Sequence, residues 1–246
     1  MKTNVKLRAL VFITASLIVA TGLAWGGSLI GAGLAARNGN AITVTGSAKT
    51  SAVADNTVWT LNANENAGSA SASVKKVEKT VVALKGYLQA GGVPDTAVET
   101  GAISTFANNE YVNGNMTGRV LSYTANQSVT VRSTDVALIQ KLSNGIGALL
   151  QTGVNINNNG PAYYVSNLAT LRPQLLAEAM KDAKLRAESI TSAVGGKVGA
   201  VLSVTSGPVQ VTAPDSVDTS SGGMYDTTTI PKTVTVTVSV AFKTSN

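Results

Sequence analysis

Residues Val53–Ala90 read VADNTVWTLNANENAGSASASVKKVEKTVVALKGYLQA, and the spacing of their apolar side chains changes partway along. Up to Asn64, Val58 and Thr60 alternate with Trp59 and Leu61, the two-residue period of a strand whose faces are both partly apolar. From Ser69 onward, Val74, Val77, Val81, Leu84 and Leu88 recur at steps of three and four, the stripe of an amphipathic helix. Lys75, Lys76, Glu78, Lys79 and Lys85 occupy its other face, and Gly91-Gly92 ends it. The stripe has heptad spacing but lasts barely two heptads between strand-like flanks. A helix laid on a sheet is therefore expected, not a coiled coil.

The same reading extends in both directions. Upstream, Ile42–Thr50 (ITVTGSAKT) is a strand. Downstream, Pro94-Asp95 opens a turn, Val98–Asn108 is a strand, and Asn113-Gly114 marks the tip of a hairpin. Arg119–Arg132 alternates as a long strand, and Asp135 caps a helix from Val136 to about Leu150. Thr152–Asn159 is Asn-rich and short of core residues, whereas Ala162–Asn167 suits a strand. The longest helix is expected from about Leu171 to Val194, with Arg172-Pro173 in its first turn, where proline is tolerated. Its Ala179, Ala183 and Ala187 form a row that suits close approach to a sheet or helix. Val198–Ser206 and Thr233–Lys243 (TVTVTVSVAFK) are strands, and residues 207–231 between them read as a polar, mobile loop. Strands and helices come in groups, so the fold class is α+β, with mainly antiparallel strands and two to three packed helices. The folded part covers residues 41–243, with about 41–150 and 151–243 as candidate subdomains.

Residues 9–36 carry no charge, and this 28-residue stretch follows Lys2, Lys6 and Arg8. At ~1.5 Å per residue a helix of that length exceeds a bilayer core of ~30 Å. The positive-inside rule leaves residues 1–8 as a cytoplasmic basic tip and the rest outside. This predicts one N-terminal transmembrane helix in contact with membrane lipid. The alternative is a cleaved signal peptide with its apolar region at Ala9–Leu23 and small residues near Gly33-Leu34-Ala35. Both readings export the domain. Gly22-x-x-x-Gly26 and Gly27-x-x-x-Gly31 have the spacing that lets membrane helices approach closely, although such helices tolerate glycine in any case.

Composition removes most chemistry. The chain has no Cys and no His, which excludes thiolate nucleophiles, Ser–His–Asp triads, and Cys- or His-based metal sites. Net charge is +6, but three of those charges sit at Lys2, Lys6 and Arg8, and the remainder is scattered. That distribution is not the footprint of a nucleic-acid binder.

The carboxylates do not converge in sequence. Glu178 and Asp182 lie at i and i+4 and Glu188 shares their helix, but Lys181, Lys184 and Arg186 surround them, as on a solvated face. Asp55, next to Asn56, suits a turn or strand edge. Gly195-Gly196-Lys197-Val198-Gly199 follows a helix, whereas a phosphate loop precedes one. Asn115-Met116-Thr117 and Asn126-Gln127-Ser128 match the glycosylation pattern without further support. Tyr163-Tyr164 suits either ordinary packing or an exposed patch. No catalytic, cofactor-binding or metal-binding residue is expected.

The order of these features resembles the SIMPL-domain family, which includes bacterial periplasmic immunogenic and oxidative-stress-defence proteins. The resemblance rests on Ile42-Thr43-Val44-Thr45-Gly46-Ser47-Ala48 followed by Ala54-Asp55, on Leu88-Gln89-Ala90-Gly91-Gly92-Val93 at a helix end, and on Tyr163-Tyr164 before the long helix. It extends through Ala179-x3-Ala183-x3-Ala187-Glu188 and Gly195–Gly199 to the Val-rich last strand. The Asn- and Thr-rich composition departs from the family by its scarcity of charge. The resemblance implies an α+β domain in the bacterial envelope and, in some members, ring-like, channel-like homo-oligomers. It implies no catalytic residues and no cofactor. The expected function is thus a non-enzymatic, membrane-anchored homo-oligomer of the inner membrane, with its domain in the periplasm or outside the cell and a stress-related role. The alternative is a monomeric periplasmic binding module or holdase.

Overall fold

The computed structural model describes residues 40–245; the expected basic tip, the expected membrane span or signal segment and its glycine spacings lie outside them. Among the described residues no helix is long and apolar enough to cross a membrane. The elements are β1 (Ala41–Val53), β2 (Asn56–Ala67), α1 (Ala70–Ala90), β3 (Val98–Thr100), β4 (Ser104–Val112), β5 (Asn115–Ser133), α2 (Val136–Gly145), α3 (Gly147–Leu150), β6 (Ile156–Asn158), β7 (Ala162–Tyr164), α4 (Leu168–Ser192), β8 (Lys197–Ser206), β9 (Gln210–Thr212) and β10 (Pro231–Ser245). The class is α+β with mostly antiparallel strands. Two compact units divide the described residues: Lys49–Leu175 with Pro208–Val236, and a second with residues 40–48, Leu176–Gly207 and residues 237–245.

In the first unit, β2 is central. It pairs with β5 from Thr57↔Ser133 to Ala67↔Tyr123, and on its other side with β6 and β7, all antiparallel. Trp59, Leu61 and Ala63 of β2 and Ala125, Val129 and Val131 of β5 present one fully buried apolar face. The α1 stripe covers that face with Val77, Val81, Leu84 and Leu88, and α2 adds Ile139 and Leu142. Each such side chain contributes ~1.5–3 kcal/mol by leaving water, which outweighs the modest helix propensity of the Val- and Ser-rich α1. The Ser69 hydroxyl accepts from Ala72 N at 3.2 Å and caps α1, while Asp135 accepts from Leu138 N at 2.9 Å and caps α2.

Four local expectations shift. The strand expected over Val98–Asn108 divides into β3 and β4, because the register against β5 slips by one residue between Thr100↔Val129 and Ser104↔Asn126. The slip is held by Gly101 N donating to Ser128 O and Gln127 Nε2 donating to Gly101 O, both at 2.9 Å. The helix expected to run from Val136 to Leu150 breaks at Ile146, which two poor helix formers, Gly145 and Gly147, flank. The Asn-rich stretch contains β6, because Asn158 Oδ1 accepts from buried Trp59 Nε1 at 2.9 Å and from Gly160 N at 3.0 Å. Helix α4 begins a turn early, with Thr170 N and Leu171 N donating to Asn167 O, which places Pro173 inside it.

In the second unit, β10 lies between β1 and β8. Its Val238, Val240 and Phe242 and Val44 of β1 are buried under Ala179, Ala183 and Ala187 of α4. The alanine row permits the close approach expected of it. Gly46 completes the fit: a Cβ there would overlap Ala179 O and lie 2.5 Å from Ala183 N.

Candidate functional site

The carboxylates on α4 are already occupied. Asp182 accepts from Ser47 N and from Arg186 Nε, each at 2.8 Å, and Glu188 pairs with Lys184 at 3.7 Å. The Ser47 amide, reinforced by Arg186, holds the Asp182 carboxyl below its ordinary value against the opposing effect of desolvation. Asp55 accepts from Ser166 N at 2.8 Å and Ser166 Oγ at 2.6 Å. The Ser166 hydroxyl bond lowers its carboxyl, so the pair is a turn clamp in which one carboxylate accepts from both the amide and the hydroxyl of Ser166. Among the described residues no group of three or more acidic side chains is placed to hold a metal ion.

The other flagged positions are distributed across the fold. Gly195 takes φ +80° and ends α4, with Gly196 N donating to Thr191 O. Tyr163 is buried, and Tyr164 packs at 5.8 Å against Tyr225, so the tyrosine pair belongs to ordinary packing. Asn115 stands at the exposed hairpin tip, whereas Asn126 lies within β5.

Residues 207–231 hold more order than their polarity predicts. Within them β9 pairs with β10 through Thr233↔Thr212, Val234↔Val211 and Thr235↔Gln210. Tyr225 OH accepts from Val165 N at 2.8 Å. The strongest tie is Lys232, whose side chain is fully buried. Its Nζ donates to Asp226 O at 2.6 Å, to Asp226 Oδ2 at 2.8 Å and to Thr229 Oγ1 at 3.4 Å, which uses all three donors. Burial would raise the Asp226 carboxyl, but Lys232, Thr228 and Thr229 outweigh it and hold it far below the carboxylate range. Sequence reasoning missed this pair. The available signal was phase: Lys232 falls on the same alternation as the buried Val234 and Val236.

The opposite face of the β9–β10 pair is polar. Residues directly opposed across antiparallel strands share a face, so Gln210, Thr212, Thr233 and Thr235 stand together. With Lys49 and Ser51 of β1 they form part of a cleft of about 440 Å³, whose remaining wall is residues 214–219. Gln210 Nε2 donates to Ser220 O at 2.6 Å, which fixes the amide orientation and leaves buried Oε1 without a partner among the described residues. No short motif marks this cleft, since its residues come from three strands and a loop.

Two sheet surfaces carry exposed apolar side chains. The apolar face that α4 covers on β10 continues onto β8, where Val201 stands opposite Phe242 and Val204 opposite Val240. Phe242 and Val240 are buried, yet Val201 and Val204 are each 49% exposed. In the other unit, β4 and β5 continue past the end of β2 as a two-stranded ribbon, where Tyr111, Val112, Met116 and Leu121 are all more than half exposed. Its charges, Glu110 and Arg119, pair with each other at 3.2 Å.

No curated protein matches the chain. The SIMPL family, described as "Protein of unknown function (DUF541)", matches residues 42–243. This span holds Gly46 against the α4 alanines, the Asp55 clamp and the valine-rich β10, and the chain belongs to the SIMPL family.

Proposed function

We propose that the protein is a non-enzymatic, membrane-anchored envelope protein that assembles into a homo-oligomer through its exposed strands. The observation that carries this reading is the uncovered apolar face of β8, an outer strand whose residues are nearly all exposed. An outer strand with free backbone groups and half-exposed valines is a template for pairing with another chain. At the other outer strand, a groove of about 530 Å³ runs between Thr43–Thr45 of β1 and Leu185 and Ile190 of α4. Two different free edges favour a head-to-tail contact, which closes into a ring when the rotation per subunit allows it.

Anchoring rests on the 28 uncharged residues behind Lys2, Lys6 and Arg8, and places the domain in the periplasm or outside the cell. Absence of enzyme activity is supported by the lack of Cys and His and by the hydrogen-bonded carboxylates Asp55, Asp182 and Asp226. A stress-related role follows from the resemblance alone. A second reading, a monomeric binding module, is favoured by the polar cleft with its unpaired Gln210 oxygen. Two-dimensional class averages of the detergent-solubilised full chain distinguish the two. Multi-subunit particles of uniform size are expected, and particles no larger than one chain in its micelle would overturn the assembly reading.

A further inference from the structure

We propose that β8 of one copy seats in the groove between β1 and α4 of a second copy, extending the sheet from subunit to subunit with the two strands parallel. This seating rests on the assembly reading and specifies what each outer strand meets. Helix α4 is offset on its sheet. It buries Val44 of β1 and Val238, Val240 and Phe242 of β10 but stops short of β8, where Val201 and Val204 stay half exposed. At the opposite edge it overhangs: Leu185 and Ile190, both more than half exposed, line the groove of about 530 Å³ with Thr43–Thr45. One edge has a strand without a helix over it, and the other has a helix flank without a strand beneath it. A second copy of the same sheet fills both. Val201 and Val204, which β8 holds on the α4 side, then lie against Leu185 and Ile190.

Backbone direction and charge both suit that occupant. Along an antiparallel strand, successive residues turn their N–H and C=O groups alternately toward the partner and away from it. Ser47 N donates to the Asp182 carboxylate of α4 at 2.8 Å and not to β10, so Ser47 faces outward, and Thr45 and Thr43 share its phase. Asp182 closes the edge at Ser47 and leaves Thr43 and Thr45 as the open positions for strand addition. Residues 198–206 of β8 carry no charge. The one charged side chain lining the groove, Arg186, is paired with Asp182 at 2.8 Å. An uncharged strand seated there leaves no ion without a partner, whereas a charged segment would lose water without gaining a counter-ion.

The direction of the added strand follows from the sheet. Asn40 O accepts from Thr244 N at 2.8 Å, so β1 starts where β10 ends and runs antiparallel to it, as β8 does. β1 and β8 are therefore parallel to each other. A copy added with its helix on the same side of the sheet keeps that direction. Two-fold arrangements satisfy less. Pairing β8 with β8 sets two uncovered valine rows side by side, and pairing β1 with β1 sets two helix overhangs against each other.

The chain has no cysteine, so an introduced pair reports this contact alone. Ser203 of β8 stands opposite Ala241 on the face away from α4, and Thr43 and Thr45 flank buried Val44 and point to that same face. Neighbouring strands lie ~4.8 Å apart, within reach of a disulfide. The detergent-solubilised full chain carrying Ser203→Cys with Thr43→Cys, or with Thr45→Cys, is oxidised and run on a denaturing gel beside the three single variants. A covalent ladder longer than a dimer is expected from at least one double variant, and single chains from every single variant. Ile190→Glu should convert the oligomer to single chains in mass photometry. All four positions are exposed, and thermal unfolding of each variant confirms that its fold is kept. Dimers from a single variant, no ladder from either double variant of an oligomeric protein, or unchanged assembly of Ile190→Glu would overturn this seating and leave the assembly reading standing. A single-chain mass for the wild type would overturn both.

Discussion

Gly46 has no side chain because the backbone of α4 occupies the place where one would stand. A Cβ at 46 meets Ala179 O and the Ala183 amide, neither of which is a flexible side-chain end, so relief requires the helix to shift from β1. Gly46→Ala is therefore expected to cost ~2 kcal/mol or more, the range of overpacking in a close-packed core. Chemical denaturation compared with wild type checks this, and an unchanged midpoint would show that α4 yields freely. Lys232 is the other residue on which a segment depends. Its burial is sustained by Asp226, so Lys232→Met, which leaves the carboxylate beside an apolar chain, should cost ~3–5 kcal/mol. The sign with pH follows from the depressed Asp226 carboxyl. Its contribution is complete above the ordinary carboxylate pKa of about 4 and is lost as pH falls through the lower folded value. Wild type should thus lose stability from about pH 4 downward, with a weaker slope in Lys232→Met. Denaturation midpoints measured between pH 6 and pH 2 provide the comparison.

Among the elements, those with a long and regular period were legible and those that borrow their stability were not. The α1 stripe and the alternation of β10 each specify a buried face by themselves, so period alone located them. The three-residue strands β6 and β9 have no such pattern. β6 exists because Asn158 meets Trp59, and β9 because β10 supplies a partner and Val211 a buried anchor. Both depend on contacts about a hundred and about twenty residues away along the chain, respectively. Helix α4 shows the same limit at its start. Pro173 reads as a first-turn residue, but the Asn167 carbonyl adds a turn before it. The proline nitrogen then cannot donate to the Ala169 carbonyl, and its ring crowds that oxygen. Pro173→Ala should raise stability by ~1 kcal/mol or more, seen as a higher thermal midpoint. A lower midpoint would mean that the chain before Leu171 gains nothing from helical continuity.

At the scale of the molecule, the sequence made the family legible through its order of motifs, and left both candidate surfaces hidden. The cleft joins Lys49, Gln210, Asp218 and Thr233, four unremarkable polar residues that only the fold of three strands and a loop brings together. The β8 face was hidden for the opposite reason. Its valines follow an ordinary strand pattern, and only the structure shows that α4 covers Val240 and Phe242 but leaves Val204 and Val201 open. Self-association through that face is the central claim, and it is tested by mass photometry of the detergent-solubilised wild type beside Val201→Asp/Val204→Asp. Two charges on an exposed strand should leave the subunit folded while the cost of burying them blocks pairing. The account predicts a discrete oligomer for wild type and a single-chain mass for the folded double variant. A wild type that stays a monomer at micromolar concentration, or a double variant that assembles unchanged, would contradict it.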